Sequence, residues 1–260
     1  MNSLFAYRFE IARQLSSHDV LMIFTATPEL DAKALATAVE TDIETNLVPD
    51  EVLIVVRGPA FEATLQALQE DSQNIATLAR LRDRATVTLV SYDCAGAESG
   101  RASVRGPAAT RIVKFQDFRR RAITSIFNTR KGFVESTSTY HFENPSGRHT
   151  ERFIRLSNIL ARGAEIAFIG FCVLPFVPER ASTAYLDTPS LYAVVAAINE
   201  QRGSFGALPI LSDNFSSYAG VGNYRFAQLS DAFVLISASS SGSLALRVRP
   251  GSFLALTKTS

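Results

Sequence analysis

Residues 239–243, Ser-Ser-Ser-Gly-Ser, stand between two apolar runs in "AFVLISASSSGSLALRV", residues 232–248. Side chains this small leave backbone N–H groups uncovered. Placed between a strand and the first turn of a helix, such groups hold an anion, helped by the positive end of the helix dipole. Gly242 permits close approach or a positive φ. The loop has neither the lysine of a P-loop nor the spacing of G-x-G-x-x-G. The alternative reading of Ser239, Ser240, Ser241, Gly242 and Ser243 is a polar surface turn with a helix cap.

Other chemistry-bearing residues are sparse. The three histidines, His18, His141 and His149, form no Ser/His/Asp order. The two cysteines, Cys94 and Cys172, lack metal-ligand spacing and read as reduced thiols of a cytoplasmic protein. His149 lies between Arg148 and Arg152 and reads as an exposed polar residue or as a phosphate or base-edge contact. Arg57-Gly58 is read as a turn, with an anion site as the alternative.

The formal net charge is only +1, but it is unevenly spread. Residues 1–100 hold 15 acidic and 7 basic residues, a balance of −8. Residues 101–131 hold 9 basic residues against Asp117 alone, a balance of +8. The basic stretch is read as a solvated linker and helix face, or as docking on the acidic N-terminal part. The rival is a nucleic-acid or phosphate contact surface.

Elements that could position these groups follow from periodicity. "DVLMIFTAT", "EVLIVVRG" and "ATVTLVSYD" read as buried strands, with helices between them. Thr27 is the expected cap of the first helix, with Pro28 at its first position. Strand–helix alternation with short joints predicts a Rossmann-like parallel sheet over residues 1–95. Residues 96–131 are expected to be a basic linker and helix. Residues 132–260 are expected to be a second domain, in which α/β alternation resumes from Ser157. A helix covers "NILARGAEIAFIGFCVLPF". "STAYLD", "ALPILS" and "DAFVLISA" are strands, and a helix capped by Thr188 or Ser190 follows the first of them. The stretch at residue 164 is too short for the ~20 apolar residues of a membrane span, so no membrane is expected.

A second segment gives the loop a context. "FENPSGRHTERF" contains Ser146, Gly147, Thr150 and Phe153 in the pattern Ser-Gly-x-x-Ser/Thr-x-x-aromatic. It resembles the opening segment of orotate phosphoribosyltransferases, members of the type I phosphoribosyltransferase fold. Over residues 140–260 four motifs stand in that family's order. They are the opening segment with Ser146, Gly147, Arg148 and His149, and the pyrophosphate-side loop Asp187, Thr188, Pro189 and Ser190. "FSSYAGVGNYRF" stands where the family has a mobile loop, and the Ser/Gly loop where it holds the 5′-phosphate. The family's acidic pair falls on Ile236 and Ser237.

The resemblance implies a C-terminal type I phosphoribosyltransferase-like α/β domain that takes phosphoribosyl pyrophosphate or a nucleotide, with Mg²⁺ as cofactor. If the protein is an enzyme, it transfers phosphoribose to a nucleobase. Asp187 and Arg225 are then the candidate catalytic residues, with Asp187 assisting Mg²⁺ through water. The alternative reading of Asp187 is an acid at a helix N-terminus. A rival function is a catalytically inactive nucleotide sensor acting through a protein partner. A homodimer is compatible with either. Nucleic-acid binding through residues 101–131 ranks third, because few aromatics interleave the basic residues.

Overall fold

Apolar runs of strand length and helical runs with one apolar face alternate along the chain, and in the computed structural model they pack as layers. The described residues are 3–12, 17–81, 85–106, 113–137, 142–143, 149–216, 220–226, 231–237, 244 and 253–255. The chain divides into two compact units, Met1–Ile123 and Thr124–Ser260.

The first unit is built on five strands: β1 (Leu4–Ala12), β2 (Ser17–Thr25), β3 (Glu51–Arg57), β4 (Thr86–Tyr92) and β5 (Glu98–Arg105). They lie side by side in chain order. β2, β3 and β4 are parallel, and the two outer pairs are antiparallel. Helices α1 (Ala32–Thr45), α2 (Phe61–Glu70) and α3 (Ser72–Ala79) make the crossovers. Leu35 and Val39 of α1, Leu68 of α2 and Leu78 of α3 pack with Ile23, Ile54 and Leu89 of the sheet. On the other face, Phe9 meets Phe118 of α4 (Phe115–Thr129), ring centroids 5.9 Å apart.

Three expectations change in this unit. The cap of α1 is Asp31, whose carboxylate accepts from Ala34 N at 3.0 Å, while Thr27 donates to the Glu29 carbonyl. β1 is a full strand, although the chain was expected to begin its sheet at residue 19. Residues 98–105, expected as linker, are the edge strand β5. Asp93 explains that strand: its Oδ1 accepts from Ala95 N and Ala97 N, and Gly96 adopts φ +74°. This closes a tight β4–β5 turn.

The second unit holds a four-stranded parallel sheet. Its strands are β10 (Thr183–Leu186), β11 (Leu211–Asn214), β12 (Ala232–Ile236) and β13 (Phe253–Ala255), in the order β11-β10-β12-β13. Two short antiparallel pairs precede it: β6 (Phe133–Glu135) with β9 (Arg152–Ile154), and β7 (Phe142–Glu143) with β8 (His149–Thr150). The long helix expected after residue 157 is divided into α5 (Leu156–Ile159) and α6 (Gly163–Val173). α6 packs closely on α7 (Tyr192–Gly203). A Cβ on Gly170 would lie 3.0 Å from Gln201 Nε2 and 3.1 Å from the Ala197 Cβ, tighter than most side-chain contacts. Gln201 of α7 fastens the pair by donating to the Ala167 carbonyl at 2.7 Å.

The α7 cap also differs from expectation. Its cap position is Leu191, after a 3-10 turn over Pro189–Leu191, and no side chain caps either element. β11 begins four residues later than "ALPILS" suggested.

Candidate functional site

The order β11-β10-β12-β13 contains one reversal of direction among the described strands. From β10 the chain crosses to β11 on one side, and the next strand, β12, lies on the other side of β10. Connections that leave two adjacent strands in opposite directions open a crevice at their carboxyl ends, the usual ligand position in such sheets. Here that crevice lies between β10 and β12.

Asp187 and Ser237 meet there. Each directly follows its strand. The Ser237 N–H donates to Asp187 Oδ1 at 3.0 Å, and the Ser237 hydroxyl donates to Oδ2 at 2.7 Å. Asp187 is only 3% exposed, and burial pushes its carboxyl above the ordinary value against the two Ser237 hydrogen bonds. Among the described residues, no cation pairs with it. A buried carboxylate of this kind, with a raised pKa and in a crevice, marks a functional-site candidate.

The sequence-predicted residues divide into those at the crevice and those elsewhere. Asp187, Thr188, Pro189 and Ser190 form the turn from β10 into α7. Ile236 is fully buried, so one position of the expected acidic pair belongs to the core, while Ser237 is a donor to Asp187. His149 is on β8, paired with Glu143, in a separate two-stranded sheet. Arg225 is exposed between Tyr224 and Phe226, and among the described residues it makes no hydrogen bond or ion pair to Asp187. Ser146, Gly147 and Arg148 lie outside the described residues, as do Ser239, Ser240, Ser241, Gly242 and Ser243.

Beneath the crevice, on the sheet face of Asp187, is an aromatic cluster that the sequence reading did not single out. Tyr185 meets Phe226 edge-on at 5.1 Å, and Phe226 lies 5.4 Å from Phe215 and 4.8 Å from Tyr224. The signal was present as Tyr185, Phe215, Tyr224 and Phe226 spread over four segments, which no local period connects. Gly220 is required here, because a side chain would collide with the Phe215 carbonyl.

The basic stretch is largely engaged inside the protein. Arg101 forms an ion pair with Glu98 at 2.8 Å and donates to the Val113 carbonyl at 2.7 Å. Arg105 donates to the Leu78 carbonyl, Arg119 to that of Gly96 and Arg121 to that of Glu10. Arg130 pairs with Glu165. Arg119 and Arg121, both within the first unit, thus reach backbone carbonyls of that unit.

Magnesium was implied by resemblance alone. Among the described residues no three His, Cys, Asp or Glu side chains gather as a metal site. Both Asp187 oxygens already accept from Ser237, and the group is almost fully covered. This donor set does not fit a directly bound metal ion. Among the described residues, no helix is long and apolar enough to cross a membrane.

Compared with protein-family models, curated proteins and solved structures, the chain matches none.

Proposed function

We propose that the second unit is a phosphoribosyltransferase-like module that binds phosphoribosyl pyrophosphate or a nucleotide at the carboxyl ends of β10 and β12. The observation that supports this most is the Asp187–Ser237 contact at the crevice between the two strands. It brings the pyrophosphate-side turn, residues 187–190, beside the point where the chain enters the Ser/Gly loop. In this reading, backbone N–H groups of Ser239–Ser243 hold the phosphate and the turn after β10 faces the rest of the ligand.

Binding without efficient transfer is the form we favour. The end of β12 carries Ile236 and Ser237 where the family has carboxylates, and Asp187 is held by Ser237. A ribose cation developing in a transfer reaction would thus lack a free carboxylate from β12. The nucleic-acid alternative loses support, because five of the cationic residues of the basic stretch have intramolecular partners.

Calorimetry of the full chain with phosphoribosyl pyrophosphate tests the reading. We expect binding, with slow or no pyrophosphate release in the presence of common bases. Gly242→Val should abolish binding by covering the amides. Ser240→Ala should cost about 1 kcal/mol, one neutral hydrogen bond. A folded protein that binds no phosphorylated ribose would reduce the Ser/Gly loop to a turn. Rapid turnover would instead give Asp187 the role of the missing pair.

A further inference from the structure

Sheets guard their edges, because unpaired N–H and C=O groups recruit further strands. Two edge strands of this protein are guarded. β5 carries two register shifts against β4. At β11, the Asn199 side chain takes both the N–H and the carbonyl of Ile210, and Asp213 Oδ1 takes the Asn214 N–H. β1 is treated differently. It runs nine residues, longer than the usual ~5–6, in unbroken register with β2 and without proline.

Alternation decides what β1 offers. Ala26 N donates to the Ser3 carbonyl at 2.9 Å, which fixes the phase of the ladder. Phe5, Tyr7, Phe9 and Ile11 exchange hydrogen bonds with β2, and the backbone groups of Ala6, Arg8 and Glu10 point away from the sheet. The Glu10 carbonyl accepts from Arg121. Among the described residues, the backbone N–H and carbonyl groups of Ala6 and Arg8 have no partner, and no strand lies beyond β1. Ala6 and Glu10 are exposed.

Side chains of the same strand narrow the partner. Glu10 shares the α1 face with Arg8 and stands directly opposite Asp19, a like-charge cross-strand pair. Arg8 already serves Asp19 and Asp42. Three carboxylates therefore stand against one cation on this face, and Glu10 has no ion pair among the described residues. The other face is apolar: the half-buried Tyr7 ring stacks on Phe9 at 5.8 Å. A second copy of β1 fits poorly, because antiparallel self-pairing keeps like faces together and brings carboxylates towards carboxylates.

We propose that the outer edge of β1 docks an extended segment of a partner protein in which basic residues alternate with apolar ones. The segment adds a sixth strand to the sheet through the backbone of Ala6 and Arg8. Its basic side chains lie on the side of Glu10, and its apolar ones on the side of Tyr7. Docking here requires no ligand of the second unit.

Fluorescence anisotropy tests it on the full chain, with labelled peptides as long as the nine-residue β1. In one, Lys alternates with Val. In a second, Glu replaces Lys, and a third is the Lys peptide with a central Pro. The Lys peptide should bind roughly tenfold or more tightly than the Glu peptide, the scale of a few cross-strand charge pairs. The central Pro should abolish binding. Ala6→Pro removes an outward N–H and spares the β1–β2 ladder, so it should abolish binding of the Lys peptide too. Glu10→Lys should erase most of the preference for the Lys peptide. Circular dichroism identifies a variant that fails to fold. The Pro peptide and the exposed Glu10→Lys change then carry the test. The docking site is overturned if the Lys peptide does not bind the folded chain, or binds equally with its central Pro or to folded Ala6→Pro. A dimer in light scattering that Ala6→Pro dissociates would give the edge to a second copy and overturn it as well.

Discussion

Each unit buries an aspartate beside its sheet, and the two are treated in opposite ways. In the first unit, Asp42 of α1 pairs with Arg8 of β1 and accepts from Asn46 at 3.2 Å. Arg8 also pairs with Asp19, so a cation is shared between two carboxylates. In the second unit, Asp187 has two hydrogen bonds from Ser237 and, among the described residues, no cation. The sheets differ in parallel. The first runs β1 to β5 in chain order, and its crossovers all advance the same way, so its parallel strands have no point of reversal. The second reverses between β10 and β12, where Asp187 lies. A neutralised carboxylate on a helix packed against a sheet without reversal is explained by structure, and the unneutralised one at a reversal is the feature on which the proposed function rests.

The largest effect should come from breaking the neutralised case. Arg8→Ala leaves Asp42, which is nearly covered, without its cation, and breaking such a pair costs about 3–5 kcal/mol. Urea unfolding of the first unit should show this. Arg8→Met with Asp42→Leu should recover most of the loss. If Arg8→Ala costs no more than an exposed ion pair, then Asp42 is hydrated and the contrast with Asp187 disappears.

How far these features were legible depended on whether the signal was local. The runs of β2, β3, β4, α2, α3 and β12 are continuous, and periodicity identified them. The break before Ser72 was also visible, and Asp71 caps α3 there through Asn74 N at 2.9 Å. β1 carries a period-two pattern, Phe5, Tyr7, Phe9 and Ile11, but charged Arg8 and Glu10 interrupt its apolar character, unlike the continuous run of β2. β5 was harder, because "ESGRASVR" has little strand propensity and depends on the Asp93–Gly96 turn and on pairing with β4. Asp187 was recognised as a candidate, but its contact with Ser237, 50 positions away, follows only from the sheet order. The pairing of Asp213 with Tyr224 depends on the same tertiary arrangement.

Removing the Asp187 side chain should cost less than removing Arg8. Asp187→Ala leaves the Ser237 N–H and hydroxyl without their acceptor in a covered place, a loss of about 1–3 kcal/mol. It also removes a buried charge, which offsets part of that loss. Asp187→Asn keeps an acceptor for the N–H and a polar partner for the hydroxyl. It should therefore be more stable than Asp187→Ala in urea, and equal stability would mean that the two Ser237 hydrogen bonds contribute little.

Asp187→Asn also sharpens the comparison through pH. Burial raises the Asp187 carboxyl above its ordinary value of 3.8. Below that value the group is protonated in both folded and unfolded chains. As pH rises through the higher folded value, the folded unit must ionise a covered group, and stability is lost. Asn cannot ionise. The stability of Asp187→Asn relative to wild type should thus grow as pH climbs above about 4 and then level off. Asp42 is also raised by burial, against the pull of Arg8, but it is common to both proteins and cancels. Thermal midpoints from pH 4 to 8 give the test, and parallel curves would mean that Ser237 fully compensates the charge.

The smallest effect concerns the basic stretch, where the question is whether a surface charge serves structure or a partner. Arg121 donates to the Glu10 carbonyl of β1 at 2.6 Å, in an exposed setting. An exposed contact of this kind contributes about 0.5–1 kcal/mol, because water competes for both groups. Arg121→Ala should lower the stability of the first unit by that amount. If the stretch serves structure alone, the same change should leave any weak retention on a polyanion column nearly unaltered. A nucleic-acid surface behaves otherwise: each lost phosphate contact lowers affinity and reduces its salt slope by about one. A clear fall in both, with stability unchanged, would move Arg121 from the fold to a binding surface and reopen the nucleic-acid reading for residues 101–131.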